Sequence, residues 1–375
     1  MSLRNEAGEQ GLVSNIAIDP SDPDTIYLIE RPSALWTPIA GSLQQKNPNI
    51  DPSCIAINPD HPEVIYMGTL QDEGIYVSNN RGNSWKRYKI SGQVYKMIVD
   101  PTTSSNPATT VLYASTNNGV YRSSNGGAAW TRLLEGNITS LIAYIPTSGT
   151  PHFYAGVQRQ GVFHTTDTRG TWTNLNNLGI GLPRYRGPTA TEPKENFDLI
   201  LTDYCPKNPN RVYAWFAIEG KTIGLYTTSS PLTRWTITAA ISPPDPAYGY
   251  YCFAMAVAPN SPGDGVKDIL FFGSYVLFRS IDAGRTWDRV SDELQFHADY
   301  HTFAFFPEKP AKGVIPAFFV GCDGGIAMSD KFADPSFPVM TKPSDFDEGI
   351  TYSDSGLFQN YNDFPSVCNY FYCII

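Results

Sequence analysis

Apolar residues in this chain come in short runs and alternations, each closed by glycine, proline or asparagine. No stretch keeps the three-and-four spacing of an amphipathic helix. The pattern repeats itself. An apolar strand ends at Asn/Asp-Pro or a related proline turn, an Ile/Leu-Tyr pair follows, then Gly-Ile/Val-Tyr, then a polar turn closed by tryptophan. Aligned on the proline, seven copies fall at Pro20, Pro59, Pro101, Pro146, Pro206, Pro259 and Pro307. The apolar-aromatic pair recurs at Ile26-Tyr27, Ile65-Tyr66, Leu112-Tyr113, Phe153-Tyr154, Val212-Tyr213, Leu270-Phe271 and Phe318-Phe319. Three strands and a tryptophan-led fourth make one unit.

A unit of this kind cannot bury both of its faces alone, so successive units pack face to face around an axis and close into a ring that protects their edges. The pattern therefore predicts an all-β chain: a single β-propeller of four-stranded blades, seven in number, spanning 1–375. The blades are expected to start near residues 12, 51, 93, 137, 196, 250 and 298. Residues 331–375 break the pattern: a Pro- and Asp-rich insertion leads to SVCNYFYCII. That segment is either a closing strand for the first blade or the opening strand of a further, truncated repeat.

The turns before the tryptophans share chemistry. Ser280-Ile281-Asp282-Ala283-Gly284-Arg285-Thr286-Trp287 is the fullest copy. Ser78 to Trp85 and Ser123 to Trp130 place Asn80 and Asn125 at the Asp282 position, while Thr165 to Trp172 carries Asp167 with its glycine displaced to Gly170. In such a turn Asp or Asn caps nearby backbone amides, glycine takes a left-handed conformation, and the indole packs between strands. Asn80, Asn125, Asp167, Asp282, Trp85, Trp130, Trp172 and Trp287 are thus read as scaffold. These turns resemble the Asp-box (BNR) repeat of sialidases, xyloglucan-active glycoside hydrolases, sortilin-type receptors and photosystem assembly factors. The resemblance implies a propeller with the box turns between third and fourth strands, and a secreted or periplasmic location.

Composition narrows the partners. A formal charge of −9 and a pI near 5.1 argue against a phosphate-backbone partner, since nucleic-acid affinity rests on clustered Lys and Arg. No apolar run reaches membrane-spanning length, and MSLRNEAGEQ contains none of the kind a secretory leader needs. Six cysteines lack CxxC spacing and sit mostly in apolar strand segments, as buried free thiols do. No nucleotide loop, nucleophile elbow or zinc motif occurs, so no cofactor is predicted.

Candidate chemistry lies on the face opposite the box turns, in the loops between second and third strands and in the approaches to the first strands. Those segments offer carboxylates, amides and aromatics, the mixture that suits sugar hydroxyls and the apolar side of a sugar ring. Candidate catalytic acids are Asp72, Glu73, Asp299 and Asp323, because glycoside hydrolysis needs two carboxylates roughly 5 to 9.5 Å apart. Candidate ligand-binding residues are His297, His301, Tyr95, Gln158, Arg159, Asp198 and Tyr275.

The densest cluster is His297-Ala298-Asp299-Tyr300-His301 followed by Gly321-Cys322-Asp323-Gly324-Gly325, which resembles a signature of many Asp-box proteins with Cys322 in place of Asn. On an extended strand, alternation puts His297, Asp299 and His301 on one face. The two histidines would then stand roughly 13 Å apart at their backbones, near the limit for converging on one ion, and no metal site is predicted. Ile29-Glu30-Arg31-Pro32 departs at the critical positions from the Phe/Tyr-Arg-Ile-Pro segment of sialidases, which argues against sialic acid cleavage. Two functions remain. One is a carbohydrate-active propeller, a glycoside hydrolase relative that binds or cleaves a polysaccharide at the axial face; the other is a non-catalytic propeller that binds a protein or peptide there.

Overall fold

A computed structural model describes residues 12–374 except 23–24, 32–36, 39–42, 44–49, 71–73, 188, 190, 192–195, 220, 240–252, 290–298, 306–317, 323–324, 330–358 and 361–370. Among the described residues, the strands form seven four-stranded sheets. In six of them the strands follow one another in chain order, each antiparallel to the next. The first sheet differs. Phe371–Ile374 enters it between Ile26–Arg31 and Thr37–Pro38, running parallel to both. Gln359–Asn360 completes the seventh sheet beside Gly325–Ser329.

The sheets make a closed ring. Their first strands are Leu12–Ile18, Pro52–Ile57, Val94–Val99, Ile138–Tyr144, Leu199–Cys205, Ala254–Val257 and Tyr300–Phe305. Each touches the first strand of the following sheet, and Tyr300–Phe305 touches Leu12–Ile18. The chain is therefore an all-β propeller. Its core lies in the seams between sheets, with no single centre. Tyr66, Ile75, Val94 and Leu112 fill one seam; Tyr113, Val120, Leu141 and Phe153 fill the next; Tyr154, Ile200, Phe216 and Trp235 fill the one after. Tyr66, Leu112, Tyr113, Phe153 and Tyr154 among them are the apolar-aromatic pair positions of the sequence repeat, buried because each sheet offers both faces to neighbours.

Local chemistry fixes the turns. Where first strands end, Asp19 accepts from the Ser21 amide, Asn58 from the Asp60 and His61 amides, and Asp100 from the Thr102 amide. At the third-to-fourth turns, the Gly82, Gly127 and Gly284 amides donate to Ser78, Ser123 and Ser280 Oγ at 2.8 to 3.0 Å. Asn80, Asn125 and Asp282 accept the amides of Ser84, Ala129 and Thr286 at 2.8 Å each. Arg81-Gly82, Gly126-Gly127 and Ala283-Gly284 all have positive φ, so two consecutive left-handed residues reverse the chain. Trp85, Trp130, Trp172 and Trp287 then pack onto the seams. Asp167 caps the Arg169 amide instead, in the turn whose glycine is displaced.

Glycine also sets how closely sheets approach. A Cβ on Gly68 would come within 2.6 Å of Val94 on the next sheet, one on Gly156 within 2.8 Å of the Ile200 carbonyl, and one on Gly273 within 2.8 Å of Tyr300. Each ends a second strand or lies near its end, next to the first strand of the following sheet.

Candidate functional site

All seven first strands line a cavity of about 570 Å³ at the centre of the ring. Its wall is shaped by a repeated irregularity. In five first strands the register skips one residue near the start: Ser14, Ser53, Tyr95, Thr139 and His301 have no partner across the pair. These are bulges, which bend the strand and re-aim side chains. Two of them close the ring. Ser53 Oγ donates to the Val94 carbonyl of the next sheet, and Thr139 Oγ1 donates to the Ile200 carbonyl at 2.7 Å. Neighbouring polar residues do the same: Asn15 accepts the Ile55 amide at 3.2 Å, and the Ser140 and Thr202 hydroxyls are 3.0 Å apart.

Tyr95 and His301 break this rule with large side chains that line the cavity. Around Tyr95 the alternation fails: Val94 and Met97 are buried while Tyr95 and Lys96 between them are both exposed to the cavity. Tyr95 keeps 37% of its surface, and its hydroxyl donates to Gln93 Oε1 at 3.3 Å. Lys96 is enclosed by the ring without being packed. That enclosure holds its ammonium below the ordinary lysine value, with Asp203 and Cys54 acting in the opposite sense.

Asp203 is the wall's acidic group on the fifth sheet, half-buried. Burial pushes its carboxyl up to about 6, opposed by the Val257 amide and by Lys96. Both its oxygens are engaged: Oδ2 accepts the Val257 amide at 2.7 Å, joining the fifth sheet to the sixth, and Oδ1 accepts the Tyr204 amide at 2.9 Å. Burial pushes the Cys54 thiol up to about 12, which makes it an inert part of the wall; Cys54, Cys205 and Cys322 are buried free thiols.

Of the residues singled out from sequence, the structure brings Tyr95 and His301 into one cavity. Others sit in the loops at the same ends of the strands, outside the cavity wall. Asn137 Nδ2 donates to Gln158 at 2.9 Å, Arg159 is exposed with φ 59°, and Asp198 is buried with the Glu219 amide at 3.3 Å. Tyr275 and Asp299 meet through the Asp299 amide and the Tyr275 carbonyl. Asp72, Glu73, Asp323 and His297 lie outside the described residues.

One expectation needs correcting. Asp299 and His301 are not alternate positions of one extended strand, because Asp299 has φ 69° and the strand begins only at Tyr300; His297 lies outside the described residues. His301 itself is a bulge residue, so the period of two is lost twice in three residues. Lys96 and Asp203 went unnoticed in the sequence. Their signal was there: each is a charge inside an apolar first strand, at a position where other repeats carry small or uncharged residues.

A family model described as the DUF6242 beta propeller domain matches residues 63–331. The chain belongs to that family. Similarity extends beyond this DUF6242 family. A xyloglucanase from a Paenibacillus species is 24% identical over 338 residues, covering 75% of this chain and 31% of the enzyme. The structure of the GH74 xyloglucanase from Xanthomonas campestris superposes with a TM-score of 0.58 at 15% identity, covering 88% of this chain and 53% of that one. The DUF6242 chain thus spans about a third of the curated relative it matches and about half of that enzyme structure. YCF48 bound to D1 peptide superposes with a TM-score of 0.54 at 13% identity, covering 87% of this chain and 94% of that one.

Proposed function

We propose that this DUF6242 propeller is a carbohydrate-active protein of the glycoside hydrolase type, taking a polysaccharide or oligosaccharide at the axial face. The observation that carries the reading is the wall of the axial cavity. An exposed aromatic, Tyr95, stands among hydroxyls, an imidazole and a lysine in a space of about 570 Å³. Sugars are held in this way, by a ring face on an aromatic and by hydroxyls hydrogen-bonded to polar groups. The similarity to a xyloglucanase supports the same reading. The Ser/Thr-x-Asp/Asn turns are read as Asp-box repeats, here serving as scaffold. Cleavage would call on rim carboxylates, with Asp72, Glu73, Asp299 and Asp323 as the candidates for the acid and its partner.

A second reading has its own support. The match to YCF48 spans nearly all of that protein, whereas the xyloglucanase structure is about twice as long as the matched part. A propeller that binds a peptide on the same face is the reading this similarity supports. A panel of polysaccharides, scored for both binding and released reducing ends, separates these readings. Cleavage lost in Asp299→Ala or Asp72→Ala identifies a hydrolase and its acids, and binding without cleavage identifies a lectin-like propeller. Silence on every glycan overturns the carbohydrate reading in favour of a peptide.

A further inference from the structure

The third sheet contributes something that the other first strands do not. At the residue after the bulge, the equivalent positions hold Asn15, Cys54, Ser140 and Thr302, all uncharged, and the third sheet holds Lys96. Its ammonium takes part in none of the ion pairs or hydrogen bonds among the described residues. Asp203, the carboxylate in the same wall, acts on the lysine through space, while each of its oxygens accepts a backbone amide. Lys96 is exposed to the cavity, so its ammonium is open to a charged group of a ligand. Tyr95, adjacent in sequence and turned to the same cavity by the bulge, supplies an aromatic face one residue away.

We infer that the axial cavity is selective for acidic sugars: a hexuronate ring lies against Tyr95 and its carboxylate pairs with the Lys96 ammonium. This rests on the reading that the cavity takes a carbohydrate, and it narrows that reading to one substrate class. Burial already weighs on the lysine's charge, so a bound carboxylate restores what the enclosure takes away. A neutral sugar offers the ammonium no opposite charge.

The test is calorimetric titration of the intact protein with galacturonate and glucuronate oligomers, each beside its carboxyl-reduced, neutral counterpart. The expected result is binding of an acidic oligomer roughly tenfold or more tighter than its reduced form, as a charge-assisted hydrogen bond implies. Lys96→Met should abolish that preference and Lys96→Arg should retain part of it, with thermal unfolding confirming that both variants fold. The comparison of acidic with reduced sugars on the unaltered protein stands even if a variant does not fold. Equal affinity for the two forms overturns this inference while leaving the carbohydrate reading in place. Failure to bind any glycan, acidic or neutral, overturns both. Acetate binding as tightly as the oligomer also overturns the inference, because it would mark a plain anion site with no part for the sugar ring.

Discussion

The first strands of the second and third sheets occupy the same place in the ring and carry the same bulge, yet they use it for opposite ends. In Pro52–Ile57 the bulged residue is Ser53, whose hydroxyl is spent on the Val94 carbonyl of its neighbour, and Cys54 behind it is buried and inert. In Val94–Val99 the bulged residue is Tyr95, and Lys96 follows, both open to the cavity. A seam needs only a small hydroxyl to close it. Where a large aromatic and a lysine stand instead, the position has been released from closure and is available to a ligand.

The widest gap between closed and open regions should appear in acid. His152 Nδ1 and His164 Nε2 share a hydrogen bond at 3.0 Å within the fourth sheet, and His164 is also packed against Tyr154. One imidazole must donate and the other accept, so the two cannot both be charged. Burial, then the neighbouring His152, brings His164 down to about 4 from an ordinary 6.5. Between those values the unfolded chain binds a proton that the folded chain refuses. Stability contributed by this site is complete above about pH 6.5 and falls by about 3 kcal/mol as pH drops to 4. Denaturant melts across that range should follow this slope, and His164→Phe should flatten it.

Overpacking the closed seam comes next. Gly68→Ala pushes a methyl into Val94 and Cys54, and should cost about 1 to 3 kcal/mol in urea unfolding. Removing one capping carboxylate is of similar kind and smaller. Asp282→Ala frees the Arg285 and Thr286 amides and the Thr286 hydroxyl, an expected loss of about 1 to 2 kcal/mol by the same measurement. The direct pair is smaller still. Ser53→Ala should cost about 1 kcal/mol and leave ligand affinity unchanged, whereas Tyr95→Ala should move stability by less than about 0.5 kcal/mol and remove glycan binding. Reversal of that pair would erase the distinction between closed and open strands.

The repeat was legible because its units are local: Ile65-Tyr66, Gly74-Ile75-Tyr76 and the turn to Trp85 each predict a strand or a reversal from a few adjacent residues. The cavity was not legible to the same degree. Reading Val94-Tyr95-Lys96-Met97 with a period of two sends Tyr95 and Lys96 to opposite faces, and only the bulge brings them together. Reading Asp299 and His301 with the same period fails at the positive φ of Asp299 and the bulge at His301. A single unpaired residue changes which side chains meet, and its position depends on a neighbouring strand distant in sequence. Tyr95 and His301 could still be picked out, since each is a bulky polar-tipped residue in the approach to a first strand.

A crystal structure with bound oligosaccharide tests the central claim most directly. The account predicts a sugar ring inside the axial cavity in contact with Tyr95 and within hydrogen-bonding reach of Lys96. A sugar seated on the outer strands or on the Asp282 side of the ring, with Tyr95 untouched, would contradict it.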